Sequence, residues 1–231
     1  MNVLERVFAR AAKQLSVQPG EIVTLEPDWV LGYKDSFLYA MEGFQKEGYE
    51  RVVKPDRIRL ALDLHSPDTF VLSFCRRYGI RPCALQEDPL KFILDQEQQK
   101  MSGLFIAGGG WEICQYGAYG AAAILITPKK MANLLGLGSF QMNIPEMIFI
   151  ELSLSSKQRP SLTDWTEQIT NQFGVDGLSG MGVILGGSAL ENINLEDKKA
   201  LIRLLYEVGA VVAVISLHGP MGQVEKVIKM K

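Results

Sequence analysis

The chain has 231 residues, 47% of them hydrophobic and 22% charged, with 24 Lys plus Arg against 26 Asp plus Glu and a formal net charge of -2. That length allows one large domain or two small ones with an ample core. The balanced charge, without a block of one sign, argues against a nucleic-acid or membrane-surface binder, and the longest apolar runs, 117–126 and 210–217, fall short of the roughly 20 residues a membrane helix needs.

Leu4, Val7, Phe8, Ala11 and Ala12 recur at helical spacing and predict an amphipathic first helix, with charges where a secretory h-region would be apolar. Pro19 and Gly20 mark a turn, and 21–25 alternates as a short strand. Asp35 reads as the N-cap of a helix with Phe37, Leu38, Met41 and Phe44 on one face and Gly48 as its left-handed stop. Strands are predicted over 51–54 and 58–62. Ser66 and Pro67 then cap a helix running to Tyr78, which Gly79 ends. An extended stretch over 81–85, a helix around 89–99 and an apolar strand over 104–107 follow.

Beyond a Gly- and Ala-rich stretch, the pattern predicts a helix over 128–135 and a strand over 147–154 opened by Pro145. The polar run 155–160 reads as a linker. A helix from 161 or 163 to 173, a second Gly-rich stretch over 174–182, a helix over 194–208 and a strand over 210–215 complete the chain. This alternation implies a largely parallel sheet with helices on its faces, because parallel strands need crossovers. Cys75, Cys83 and Cys114 form no C-x-x-C pair, which suits a reducing cytoplasm and buried small side chains.

Four places carry candidate chemistry. The run from Gly108 through Gly109 and Gly110 to Ala121 follows a strand and enters a helix, so it either packs a small-residue helix on the sheet or offers backbone N–H groups to an anion. It matches neither nucleotide-loop pattern. Asp63 and His65 are two apart and share a face if extended, which lets the carboxylate orient the imidazole for proton transfer; otherwise they close a strand. His218-Gly219-Pro220 follows the last strand, as a surface turn or a ligand loop. The stretch 174–182 is a flexible turn or an anion nest. Two histidines alone build no His-rich zinc site, and no metal site is predicted.

These residues also carry a family resemblance. LERVFARAAKQ, VQPGEIVTLEPDWVLGYKDSFLYAMEGFQKEGYERVVKPDRI, GGGWEICQYGAYGAAA, NIPEMIFIEL, DWTEQITNQFGVDGLSG and NLEDKKALIRLLYEVGA resemble, in order and spacing, successive segments of the aconitase superfamily, in particular the large subunit of 3-isopropylmalate dehydratase. The resemblance implies an aconitase-like α/β/α fold with a mostly parallel sheet: a first domain over 1–145 and a smaller second over 146–231. Asp35 and Asp56 stand where the family has matching residues.

The departures fall on the chemistry. Gly110, Trp111, Glu112 and Ile113 stand where the family writes Asp-Ser-His-Thr. Asp63 is followed by Leu64, leaving His65 displaced by one, and Lys198 replaces an arginine, which loses a bidentate carboxylate clamp. The family's three cluster-binding cysteines belong to a third domain beyond this chain's match, so a [4Fe–4S] cluster is expected only if a partner chain supplies the cysteines.

The implied reading is a cytoplasmic, divergent protein that binds a small di- or tricarboxylate through Asp35, Gly109, Gly110 and Lys198, or serves as an accessory subunit. The alternative is a hydro-lyase or isomerase that works beside a cluster-bearing dehydratase subunit, or cluster-free through Glu112, His65 and Asp63. A self-associating structural subunit, a homo-oligomer, is a third. The initial Met and the basic end at Lys229, Met230 and Lys231 read as an intact frame.

Overall fold

The computed structural model describes residues 1–63, 65, 68–94, 101–154 and 161–230, apart from the side chains of Lys34, Asp35 and Phe92. Helix α1 (Val3–Ala12) begins with a capping box. Asn2 accepts the Glu5 N–H at 3.0 Å, and Glu5 accepts the Asn2 N–H at 2.8 Å. Leu4, Val7, Phe8 and Ala11 are buried on the face their spacing predicts.

Strand β1 (Ile22–Leu25) follows, and then β2 (Trp29–Tyr33), which the sequence hides. Its residues are buried on both faces apart from Tyr33, so the run shows no alternation. Helix α2 (Lys34–Lys46) starts directly at the strand end. Its cap is Tyr33, whose C=O accepts the Ser36 hydroxyl at 2.9 Å, so Asp35 lies in the first turn and not at the cap. The strand expected over 51–54 does not form. The Val53 N–H donates to Leu135 O instead, and Lys54 adopts a left-handed backbone.

Strand β3 (Ile58–Leu62) leads to α3 (Thr69–Tyr78). Asp68 caps that helix by accepting the Phe70 and Val71 N–H groups at 2.9 and 3.3 Å. Ser66 and Pro67, expected as its cap, lie outside the described residues, as does Leu64. Gly79 ends it in the left-handed conformation. Next come β4 (Arg81–Ala84), the short α4 (Lys91–Leu94), whose predicted continuation falls outside the described residues, and β5 (Phe105–Gly108).

The Gly- and Ala-rich stretch forms a 3-10 helix (Trp111–Tyr119) leading to β6 (Ala122–Leu125). Helix α5 (Pro128–Leu137) is capped by Thr127, and β7 (Phe140–Asn143) pairs antiparallel with β1. Strand β8 (Glu146–Leu152) precedes the expected linker at 155–160, which lies outside the described residues. Then α6 (Leu162–Phe173), β9 (Met181–Gly186), α7 (Leu195–Glu207), β10 (Val212–Ile215) and β11 (Lys226–Met230) close the chain. None of the described helices is long and apolar enough to cross a membrane.

Two parallel sheets dominate. The first has the order β4-β3-β2-β5-β6 and the second β10-β9-β8-β11. Every strand of the second follows residue 145, yet the apolar core does not stop there. The cluster that holds Phe8, Phe37, Phe44 and Phe105 also takes in Phe149, Ile184 and Val214. The 3-10 helix is the wedge between the sheets. Cys114 and Ala118 pack into the core of the second, while Ile113 and Tyr116 pack with Leu31 and Ile106 of the first.

Candidate functional site

In the first sheet the chain runs from β2 outward to β3 and β4, then returns to the other side of β2 for β5 and β6. Connections leave β2 and β5 in opposite directions, which opens a crevice at their carboxyl ends, the place where open α/β sheets bind ligands. Residues 33–36 leave β2 there, Asp63 and His65 follow β3, and Gly109, Gly110 and Glu112 follow β5. The fold therefore sets Asp35, Asp63, His65, Gly109, Gly110 and Glu112 along one sheet edge.

The glycines are demanded by the chain itself. A Cβ at Gly108 would sit 2.1 Å from Leu31 O, one at Gly109 2.5 Å from Ser36 Cβ, and one at Gly110 2.6 Å from the Tyr33 ring and 2.7 Å from Glu112 Oε2. The Gly109 N–H already donates to Leu31 O at 3.2 Å. The space that a side chain would take is thus filled by Ser36, Tyr33 and Glu112, and the Gly109 N–H is spent inside the sheet.

Close to Tyr33 lies a phenol and carboxylate pair. Tyr116 donates to Asp88 Oδ1 at 2.6 Å, and the Leu90 N–H donates to the same oxygen at 2.8 Å. Burial, with Glu112 and Asp88 nearby, pushes the Tyr33 hydroxyl above its ordinary range, and burial with Asp88 does the same to Tyr116. Both phenols stay protonated donors at neutral pH. Asp63 is engaged differently from the sequence expectation: its Oδ1 accepts the backbone N–H of His65 at 3.0 Å, closing a turn, while the exposed imidazole is not the group it holds.

Glu112 is exposed and lines a cavity of about 480 Å³ between the 3-10 helix and α7, together with Trp111, Gln115, Glu196, Lys199 and Arg203. Lys199 binds Glu196 at 2.9 Å, and the Arg203 Nε binds Glu207 at 3.0 Å. Sequence reasoning missed both cations. Their signal was available: Glu196, Lys199, Arg203 and Glu207 follow i, i+3 and i+4 spacing and share a helix face. Lys198, one residue away and about 100° around the helix, lines a different cavity near His218, apart from the sheet edge that carries the other six residues.

The thiols do not fit an iron–sulfur cluster. Cys75 packs in the core around α2 and α3, Cys114 packs against the second sheet, and Cys83 lies in β4. Burial pushes Cys75 up to about 11 and Cys114 up to about 12, against the thiolate form that a cluster requires. Among the described residues, no three Cys, His, Asp or Glu side chains converge in metal-binding fashion.

No family model matches the chain. Similarity to individual proteins is extensive. The chain is 25% identical over 229 residues to the 3-isopropylmalate dehydratase large subunit of Aquifex aeolicus, an alignment covering 94% of this chain and 52% of that protein. It is 26% identical to 3-isopropylmalate dehydratase large subunit 1 of Pyrococcus furiosus, over 93% of this chain and 53% of that one. With the methanogen homoaconitase large subunit of Methanocaldococcus jannaschii it shares 23% identity, over 93% and 53% respectively. The chain spans about half the length of the curated relatives it matches.

Proposed function

We propose, from the premise that this chain is an aconitase-superfamily relative of the 3-isopropylmalate dehydratase large subunits, that it binds a small di- or tricarboxylate in the crevice between the 3-10 helix and α7. The carrying observation is the cavity that sets Lys199 and Arg203 opposite Glu112 at the carboxyl end of β5. Arg203 is held by a solvent-facing ion pair, worth about 0–1 kcal/mol, and the Glu196 that pairs with the less exposed Lys199 is itself 80% exposed, so an incoming carboxylate displaces Glu196 and Glu207 at little cost. Arg203 bonds Glu207 through Nε, which leaves its two terminal nitrogens for a bidentate contact. Gln115 adds a neutral donor and acceptor, and Trp111, 53% exposed, gives an apolar rim for a substituted acid.

In this reading the chain contributes recognition, and hydro-lyase chemistry by an iron–sulfur Lewis acid depends on cysteines from a second chain. The relatives' names favour that second reading, an enzyme assembled from subunits, because each is called a large subunit. A cluster-free route through Glu112 and His65 has less support, since His65 is not among the residues lining the Glu112 cavity.

Thermal unfolding with isopropylmalate, citrate and malate tests the proposal. A hundredfold excess over Kd stabilises the folded state by about 2.7 kcal/mol. The expected result is saturable protection by at least one acid, abolished by Arg203→Ala with Lys199→Ala. Absence of protection by all three acids rejects carboxylate binding here. Turnover that arises only on adding a companion dehydratase subunit supports the assembled enzyme.

A further inference from the structure

A cavity of about 570 Å³ lies at the carboxyl end of β10. Three elements meet there: the start of α1, the end of the 3-10 helix and the first turns of α7. Its polar lining is Ser102, Tyr119, Lys198, Ser216 and His218, over an apolar floor that includes Leu195 and Ile215. No Asp or Glu lines it among the described residues. This sets it apart from the Glu112 cavity, where two acids face two bases.

Lys198 is half-buried and has no hydrogen bond or ion pair among the described residues, while its neighbour Lys199 is paired with Glu196. A half-buried ammonium gives up part of its hydration, and a cavity without carboxylates returns nothing for that loss until an anion enters. The loop carrying His218 is held in advance. Ser216 Oγ donates to Gly219 O, the Gly219 N–H donates back to Ser216 O at 3.1 Å, and the following turn is tied to α1 by Val3 N–H to Pro220 O at 3.0 Å and Arg6 to Met221 O at 2.7 Å. A preformed mouth costs little ordering on binding.

We propose that this cavity is a separate site for a small dianion, held by Lys198 and His218 with a hydroxyl contact from Ser102. Phosphate and short dicarboxylates share that chemistry. The site is distinct from the carboxylate crevice, because Lys198 and His218 line a different cavity, with Tyr119, over whose ring Lys199 Nζ lies at 5.7 Å, between the two.

The chain has only two histidines, so an imidazole NMR spectrum of the full-length protein carries two signals, His65 and His218, assigned by His218→Gln. Inorganic phosphate and malonate are titrated separately at fixed ionic strength, with chloride as the monoanion control. The expected result is a saturable shift of the His218 signal alone, weakened about tenfold or more in Lys198→Met and in Lys198→Gln, as loss of a charge-assisted bond predicts, and retained in Arg203→Ala. Tighter saturation by phosphate or by malonate identifies the source. An unmoved His218 signal, equal shifts of both histidines, or titrations unchanged by the Lys198 substitutions overturn the proposal. Loss of the shift in Arg203→Ala also overturns it, by placing the anion in the other cavity.

Discussion

Glu26 holds two lysines at once: Lys13 Nζ at 2.7 Å on Oε1 and Lys54 Nζ at 2.6 Å on Oε2. Both lysines carry positive φ, 57° and 54°, which is costly for a side-chain-bearing residue, so one carboxylate pins two strained backbone positions at the end of α1 and ahead of β3. The hydrogen bonds from Lys13 and Lys54 lower the Glu26 pKa. A carboxyl lowered in the folded state stabilises it above the unfolded value, about 4.3, and loses that contribution as pH falls through the folded value. Both lysine partners are exposed, so the contribution is at most about 1 kcal/mol. Glu26→Gln is expected to lower stability by that amount at pH 7 in urea unfolding and to approach the parent as pH drops below about 4. A gap of the same size in acid rejects an ionic clamp.

At the scale of elements, the join of β2 to β5 decides where the crevice lies. Leu31 is opposite Gly108 in the parallel register, and a Cβ on Gly108 would stand 2.1 Å from the Leu31 carbonyl oxygen. No rotamer relieves a clash with backbone, so Gly108→Ala must part the strands at the head of the site. The expected cost is several kcal/mol, in the upper range for single substitutions, read as a large fall in urea midpoint. By contrast Gly20→Ala, with φ +83° and no atom within 4 Å of the new Cβ, pays only for its conformation, about 1 kcal/mol. Equal losses in the two variants would refute the steric reading.

The same join shows what the sequence made legible. Helices with both a stripe and a cap were readable: α1 from Leu4, Val7 and Phe8, and α7 from Asn194, which accepts the Asp197 N–H at 2.9 Å. The glycine run after β5 was recognisable as a strand-to-helix turn, and the family resemblance placed Gly110 and Glu112 at a cleft. Strands β2 and β9 were hidden because central parallel strands are wet on neither face, and glycines at their ends looked like loop. Lys199 and Arg203 were not singled out, because which face of α7 meets the 3-10 helix depends on the helix rotation. That rotation is fixed by the burial of Leu201, Ile202 and Leu205 against the second sheet.

Across the whole molecule, the two sheets meet where β6 faces β10, and one hydroxyl joins them. Tyr206, on α7 and buried, donates to Ala123 O in β6 and accepts the Ala213 N–H of β10 at 3.2 Å. Burial pushes this phenol above its ordinary range, so it remains a donor throughout the pH range in which the protein is handled. The 3-10 helix closes the seam beside it: a Cβ on Gly117 would lie 2.2 Å from Ala213 O. Since Ala123 and Ala213 are fully buried, neither water nor a neighbouring strand replaces a missing hydroxyl. Tyr206→Phe keeps the ring and its packing while stranding one carbonyl and one N–H, a loss of about 1–3 kcal/mol. Because the apolar core around Phe8 draws from both sheets, the parent is expected to unfold in a single urea transition. The variant should keep that shape and slope with a lower midpoint. Two resolved transitions in the parent would mean that the sheets fold separately. A midpoint unmoved by Tyr206→Phe would mean that packing alone, without the hydroxyl, holds the crevice between them.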